Sequence, residues 1–124
     1  MSGLGTSRTV TKPWGEEKIF AQTNHYAGKL ITIRAGETMS YQYHNVKEET
    51  VHVLSGALGL DVETDGVRST LRLMPGETFH IRPGMKHRMF ADEIDCLVVE
   101  VSTSELDDVV RLEDRYGRKG TTAP

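Results

Sequence analysis

Turn signals recur along the middle of this chain about every eight to twelve residues, and short apolar runs lie between them. The runs are rich in β-branched residues, as strands are. They cover residues 29–34, 51–54, 58–63, 71–73 and 97–101. The turns between or beside them are Ala35-Gly36-Glu37, Ser55-Gly56, Asp65-Gly66, Pro75-Gly76-Glu77 and Pro83-Gly84. Many short strands with glycine-rich turns predict an all-β sandwich or barrel.

Two local patterns refine this fold. Asp65-Gly66 separates the runs Leu58–Glu63 and Val67–Leu73, and Asp-Gly between such runs predicts a β-hairpin. A helix is predicted only near the C-terminus, over Ser104–Leu112. Ser104 can act as its N-cap, with Asp107 three residues further on, although a capping box prefers Glu or Gln there.

Composition limits the classes of protein and partner. With 124 residues the chain forms one domain, and 37% apolar with 27% charged residues is typical of a globular one. The net charge of -3 argues against a nucleic-acid partner. No apolar run reaches the length of about 20 residues that crosses a bilayer, and residues 1–10 lack the apolar core of a secretory signal. We therefore expect a cytoplasmic protein.

The single cysteine and the strand edges give two further expectations. Cys96 lies in the apolar run 94–99, where a buried, inert thiol is the expected state. Because open strand edges of a small barrel often pair with another subunit, a homodimer is predicted.

One group of polar residues has the spacing of a metal site. Gln42 and His44 are two apart on a strand and project to the same face, and Glu49 follows after a short turn. A tight turn at Gly84 delivers His87 as a fourth ligand. These donors suit zinc first, with manganese, cobalt, nickel or iron as alternatives, and we predict one divalent ion. A lone histidine on a strand is more often a surface or core residue, but here the spacing constrains two separate motifs.

Both motifs resemble those of the cupin superfamily. Gln-x-His…Glu…His resembles the ligand pattern of phosphomannose isomerases. The chain also resembles the isomerase domain at the C-terminus of bifunctional mannose-1-phosphate guanylyltransferase/mannose-6-phosphate isomerases. The matching segments are Lys12-Pro13-Trp14-Gly15, Gln42-Tyr43-His44, Val53-Leu54-Ser55-Gly56, Pro75-Gly76-Glu77, Lys86-His87-Arg88 and the closing run 107–118.

The resemblance implies a double-stranded β-helix, or jelly-roll barrel, over residues 12–118, with a short helical or extended C-terminal tail. Residues 1–11 would form a flexible arm and residues 119–124 a loose end. Three residues depart from the family pattern near the expected substrate position. They are Val46 in place of a histidine, Val51 in place of an aromatic residue and Ala91 in place of an asparagine. None of these removes a metal ligand.

By resemblance, the function would be metal-dependent aldose–ketose isomerisation of a sugar or sugar phosphate through an enediolate. Lys29 and His80 are the candidates for proton transfer, whereas strand alternation turns His52 away from the metal. The basic residues that could hold a phosphate are Lys86, Arg88, Arg111 and Arg115. Two alternatives stay open: a non-catalytic metal- or carbohydrate-binding cupin, and an Fe(II)-dependent dioxygenase.

Overall fold

The computed structural model describes residues 3–120. Within this range the chain forms short strands joined by turns and loops. In chain order they are β1 Arg8–Lys12, β2 Gly15–Gln22, β3 Ala27–Ile33, β4 Tyr41–Tyr43, β5 Glu49–Ser55, β6 Leu58–Thr64, β7 Val67–Leu73, β8 Thr78–Ile81, β9 His87–Phe90, β10 Cys96–Ser102 and β11 Val110–Glu113.

The strands form two antiparallel sheets. One has six strands in the order β1-β2-β3-β10-β5-β8, and the other has five in the order β11-β4-β9-β6-β7. Alternate residues of each strand point between the sheets, as the alternating burial of β3, β5 and β10 shows. The predicted all-β barrel is confirmed.

The predicted hairpin joins β6 to β7. Thr64 pairs with Val67 across a two-residue turn, in which Asp65 has a φ of 52° and Gly66 a φ of 79°. Positive φ at both central residues is what a type I′ turn requires, and Asp-Gly meets that requirement at low cost. The two turn residues themselves therefore determine the connection between β6 and β7.

Apolar side chains from both sheets fill the barrel. Most come from inward positions of β3, β5, β6 and β10, and Trp14 joins them from the turn between β1 and β2 with 1% of its surface exposed. Cys96 is fully buried among them. Burial raises the pKa of its thiol to about 11, so the thiol stays protonated and unreactive at neutral pH, as the sequence predicted.

The predicted helix at Ser104–Leu112 is wrong. Residues 104–108 form turns, and Val110–Glu113 is strand β11, paired with β4 at the edge of the five-stranded sheet. The pairing with β4 hydrogen-bonds the backbone of this segment, and the weak apolar periodicity of 109–112 could not outweigh it. The extended form of the predicted tail is therefore the correct one. Residues 3–120 contain no helix that could cross a membrane.

The chain ends differ in part from the predicted boundaries. Residues 8–11, which the sequence assigned to a flexible arm, belong to β1 and pair with β2. The alternating burial of its side chains is that of a strand at the edge of a sheet. Val10 and Lys12 point towards the interior of the barrel, and Thr9 and Thr11 stay exposed. Of the predicted loose end, residues 121–124 lie outside the described part of the chain.

Gly56 allows the close approach of two chain segments. It has a φ of 78° in the turn after β5, and a Cβ atom placed on it would lie 2.3 Å from the carbonyl oxygen of Asp95. We expect Gly56→Ala to destabilise the fold by about 2 kcal/mol or more, because both the backbone strain and the clash oppose the side chain. Thermal unfolding measures this. Gly36→Ala is the control, with a similar φ of 79° and open space around its Cβ position; equal losses in the two variants would contradict the clash.

Candidate metal centre

Three of the predicted ligands come together inside the barrel. His44 directly follows β4, Glu49 begins β5 and His87 begins β9. One donor atom from each lies within 4.8 Å of the others, and all three side chains are buried. The centre therefore joins the two sheets, because Glu49 belongs to one and His87 to the other.

Hydrogen bonds fix the orientation of both imidazole rings. His44 Nδ1 lies 2.6 Å from the carbonyl oxygen of Asp108, and His87 Nδ1 lies 2.8 Å from that of Met85. A carbonyl oxygen only accepts, so each Nδ1 carries a proton and Nε2 is the nitrogen of each ring that can bind a metal. Both Nε2 atoms are buried and lack a hydrogen-bond partner among the described residues. Such rings, oriented by a backbone carbonyl, are typical of metal ligands.

The distances also fit an ion. Glu49 Oε1 lies 3.5 Å from His44 Nε2 and 3.4 Å from His87 Nε2. Two ligand atoms that each lie about 2.1 Å from a tetrahedral zinc ion are about 3.4 Å apart. Hydrogen bonds from protonated histidines to the carboxylate would be shorter, about 2.7–2.9 Å. The spacing therefore favours a cation between the three atoms over ion pairs among them.

Gln42, the fourth predicted ligand, lies beside this cluster. It is buried on β4 and pairs with His87 on β9. Its Oε1 accepts a hydrogen bond of 2.5 Å from the Ser40 hydroxyl. That bond leaves a second lone pair on the oxygen, so Gln42 can serve as a ligand that Ser40 orients. Its role as a ligand stays a prediction.

Two charged residues beside Glu49 were not predicted from the sequence. Lys47 Nζ lies 2.9 Å from Glu49 Oε2 and 3.1 Å from Glu100 Oε2, and all three side chains are buried. Lys47 lies two residues before Glu49, in the segment that leads into β5. Glu100 occupies an inward position of β10 between apolar residues, and a charge at such a position was the available signal. Because Lys47 holds Oε2, Oε1 is the oxygen that turns towards the imidazoles.

The charged neighbours of Glu49 and Glu100 determine whether each of these two carboxyl groups is protonated. Burial would raise the pKa of Glu49, but the charge of Lys47 outweighs it and holds that pKa well below the ordinary value. Glu49 is thus a carboxylate, the form that binds a metal. Burial and the charge of Glu49 raise the pKa of Glu100 to about 7.

Asp108 holds the turn that leads into Glu49. Its carboxylate accepts hydrogen bonds from the backbone N–H groups of Asn45, Val46 and Lys47, at 2.6–3.0 Å. Burial would raise the pKa of Asp108, but these donors outweigh it and lower the pKa to about 2. The carbonyl of the same residue accepts from His44. The segment before β11 therefore positions both a ligand and the adjacent turn, which no local sequence pattern revealed.

A small cavity of about 40 Å³ adjoins the cluster. Four of the predicted site residues line it: Gln42, His44, Lys29 and Arg111. Lys29 is buried, and its Nζ donates to both carboxylate oxygens of Glu17 at 3.2 Å. Basic residues that the sequence analysis did not select, Lys12 and Arg118, line the same cavity. Both belong to segments quoted for the family resemblance, which was the available signal.

The other predicted residues lie elsewhere. His80 is exposed on the outside of β8, where its Nε2 lies 2.5 Å from Glu48 Oε2, so it cannot reach a substrate at the cluster. Lys86 contacts Glu63 at 3.5 Å. Arg88 and Arg115 line an open groove of about 1080 Å³ outside the five-stranded sheet. Strand alternation explains the position of Arg88, which lies between the inward residues His87 and Met89 of β9. Arg115 lies in the turn after β11. His52 points outward, as predicted.

The Asp114–Arg118 turn supports the cavity from the C-terminal side. Asp114 is fully buried and accepts two hydrogen bonds of 2.9 Å from the Arg118 guanidinium. Burial would raise the pKa of Asp114, but Arg118 outweighs it and lowers that pKa below the ordinary value. A carboxyl with a lowered folded pKa stabilises the fold above its unfolded pKa of about 3.9, and this contribution is lost as the pH falls.

We therefore expect Asp114→Asn to destabilise the protein at pH 7 by about 2 kcal/mol, since Arg118 loses its partner. This difference from the wild type should shrink as the pH falls below about 4. Urea unfolding of both proteins at pH 7 and pH 3 measures it. A difference that stays constant with pH would show that the charge of Asp114 is not what stabilises the turn.

Comparison with known proteins assigns the chain to a family. The family model described as mannose-6-phosphate isomerase, C-terminal, matches residues 2–114. The mannose-1-phosphate guanylyltransferase of Escherichia coli K12 is 32% identical over 116 residues, which cover 90% of this chain and 23% of that protein. The chain thus spans about a quarter of the length of this relative.

Solved structures agree on the fold. The capsular polysaccharide assembling protein CapF from Staphylococcus aureus superposes with a TM-score of 0.77 at 17% identity, over 86% of this chain and 34% of that one. Bacillus subtilis oxalate decarboxylase, described with Mn(II) centres, gives a TM-score of 0.72 at 19% identity, over 84% of this chain and 29% of that one. These likenesses confirm the predicted cupin barrel. By the family match, the chain belongs to the mannose-6-phosphate isomerase C-terminal family of cupins.

Proposed function

We propose that this cupin binds one divalent ion, with zinc as the first candidate, and interconverts the aldose and ketose forms of a phosphorylated sugar. The observation that carries the proposal is the convergence of His44 Nε2, His87 Nε2 and Glu49 Oε1 inside the barrel. When bound, the ion would supply a Lewis acid for the two neighbouring oxygens of the sugar. The family match supports this chemistry.

The charge around the cavity supports an anionic substrate. Its basic lining residues are Lys12, Lys29, Lys47, Arg111 and Arg118. Three of them form ion pairs with carboxylates. Lys29 is bound to Glu17, Lys47 to Glu49 and Glu100, and Arg118 to Asp114. Lys12 is 6% exposed, and Glu17, the carboxylate whose charge acts on it, is already bound to Lys29. The divalent ion adds to this positive charge, so we assign Lys12, Arg111 and Arg118 to the phosphate.

Lys29 is the candidate for proton transfer in this proposal. An aldose becomes a ketose when a proton leaves C2 and one is returned to C1, while the carbonyl moves from C1 to C2. Lys29 lines the same cavity as Gln42 and His44. Its Nζ is held by both carboxylate oxygens of Glu17. In the proposed step the amine of Lys29 takes the proton from C2, Glu17 stabilises the ammonium that forms, and the ammonium returns the proton to C1, while the hydroxyl proton of O2 passes to O1.

The size of the cavity requires one part of its wall to move. A volume of about 40 Å³ is far below the roughly 300–1,000 Å³ of ordinary ligand pockets. Leu106 and Val109 of this wall lie in the segment 103–109, which joins β10 to β11 outside both sheets. We propose that this segment opens to admit the sugar.

The closed cavity also favours a second candidate function. A cupin that binds the metal and has lost turnover needs no space for a sugar. Substitution of the family's histidine by Val46 and of its aromatic residue by Val51 is consistent with such a loss. This non-catalytic binding module keeps the same ligands, so metal binding alone does not distinguish the two functions.

Proton exchange with solvent distinguishes them. The protein loaded with zinc, manganese or cobalt is incubated anaerobically in deuterium oxide with a panel of hexose and pentose phosphates. We expect deuterium at the carbon next to the carbonyl of at least one sugar phosphate, and much less with the unphosphorylated sugar. Lys29→Met should slow the exchange by at least about 100-fold while one metal ion per chain is retained. Metal-loaded protein without exchange on any sugar phosphate would contradict the isomerase and leave the binding module. A requirement for Fe(II) and oxygen uptake would indicate a dioxygenase instead.

A further inference from the structure

Lys47 carries a buried positive charge beside the candidate metal centre. It lies in the segment between β4 and β5, where Asp108 accepts a hydrogen bond from its backbone N–H group, and its side chain is 5% exposed. Burial of an ammonium group is costly, because the charge leaves water. An ammonium group next to a cation site also repels the cation. Packing and metal charge alone would therefore favour an apolar residue at this position.

The ammonium group of Lys47 is fixed between two carboxylates. Its Nζ lies 2.9 Å from Glu49 Oε2 and donates a hydrogen bond of 3.1 Å to Glu100 Oε2. Glu100 of β10 pairs with Val51 of β5, which lies two residues beyond Glu49 and on the same face of the sheet. The pairing of the two strands therefore holds Glu100 in place, and Glu100 holds Nζ against Glu49.

The two carboxylate oxygens of Glu49 have different surroundings as a result. Oε1 lies 3.5 Å from His44 Nε2 and 3.4 Å from His87 Nε2, where the three donor atoms converge. Oε2 lies against Nζ of Lys47. A carboxylate can bind a cation through one oxygen or through both. Because the ammonium group occupies the approach to Oε2, Oε1 is the oxygen left for an ion.

We propose that Lys47 is a positioning residue that makes Glu49 a one-oxygen ligand, which determines the choice of ion and the space left for substrate. This inference rests on the proposed function. Aldose–ketose interconversion needs positions on the ion for two neighbouring sugar oxygens, and a second oxygen from Glu49 would take one of them. Carboxylate oxygens suit manganese, whereas imidazole suits zinc. Withholding one carboxylate oxygen therefore favours zinc over manganese.

Lys47→Met tests this role, because it removes the ammonium group and keeps an unbranched side chain. Glu49 can then offer both oxygens, so we expect the ratio of the manganese to the zinc dissociation constant to fall by at least about fivefold. The two ions have the same charge, so a general change in the electric field shifts both constants alike and leaves their ratio unchanged. Competition titration at a single pH measures the ratio. In the cobalt(II)-loaded protein, the visible absorption bands should weaken as the extra oxygen joins the ion.

Two further variants separate positioning from folding and from charge balance. Lys29→Met makes the same change at a buried lysine of the same barrel, bound to Glu17, and should keep the wild-type ratio and cobalt spectrum. Lys47→Met combined with Glu100→Leu replaces the buried ion pair with an apolar pair, so Glu100 is not left buried without its partner. This double variant should keep the lowered ratio, and it provides the test if Lys47→Met alone does not fold. Circular dichroism checks the fold of each variant.

Two results would overturn the inference, and they differ in what else they exclude. A wild-type ratio and cobalt spectrum in folded Lys47→Met, or their return in the double variant, would show that Lys47 only balances the charge of Glu100, and the metal centre would stand. A wild type that binds neither zinc nor manganese would contradict the metal centre itself, and with it any role of Lys47 there.

Discussion

Replacement of His87 by alanine is expected to abolish stoichiometric metal binding. His87 supplies one of three converging donor atoms, and its ring is fully enclosed and oriented by the carbonyl of Met85. Changes in the residues that merely orient a ligand cost about 10–100-fold in metal affinity, so loss of a ligand itself should cost more than about 100-fold. Isothermal titration with zinc, checked by elemental analysis of the dialysed protein, measures the loss.

His80→Ala is the matched control for that variant. It makes the same change at a histidine that is exposed outside the barrel and bound to Glu48. We expect wild-type metal affinity in this variant. Stoichiometric zinc in a folded His87→Ala protein, or an equal loss in both variants, would contradict the proposed ligand set.

Trp14→Ala is expected to cause the largest loss of stability of any single change considered. Trp14 is 1% exposed and packs into the core from the turn between β1 and β2. Truncation of such a buried tryptophan costs about 3–5 kcal/mol, because burial is lost and a cavity remains. For a domain of this size the midpoint of thermal unfolding should fall by roughly 10–20 °C.

Two variants accompany this measurement. Trp14→Phe keeps most of the buried ring and should lose less than half as much. Tyr26→Ala removes an aromatic side chain that is 56% exposed and should shift the midpoint by only about 1–2 °C. A Trp14→Ala protein with a near wild-type midpoint would show that Trp14 covers the barrel end without stabilising it.

Local sequence chemistry accounts for the parts of the fold that were predicted. Asp65-Gly66 meets the φ requirement of its turn by itself, and the β-branched runs 29–34, 51–54 and 97–101 form the centres of β3, β5 and β10. Edge strands were harder to find. Among the strands of residues 3–120, β11 pairs only with β4, and its strand character comes from that distant partner and not from its own residues.

The metal centre, like the fold, could be predicted from the sequence only in part. The spacing of His44, Glu49 and His87 indicated convergence, because His44 shares a strand face with Gln42, and Glu49 and His87 each follow a short turn. Spacing could not reveal Lys47 bound between Glu49 and Glu100, because that contact depends on β10 lying beside β5. His80 was misjudged for a related reason. Its direction depends on the pairing of β8 with β5, which places it opposite Thr50 on the outer surface.

Anomalous diffraction from crystals of the protein grown with zinc tests directly whether His44, Glu49 and His87 bind one divalent ion. We expect one anomalous peak per chain inside the barrel, about 2.0–2.2 Å from both Nε2 atoms and from a carboxylate oxygen of Glu49. Absence of a peak there at saturating zinc, with the histidines hydrogen-bonded to Glu49 instead, would contradict it.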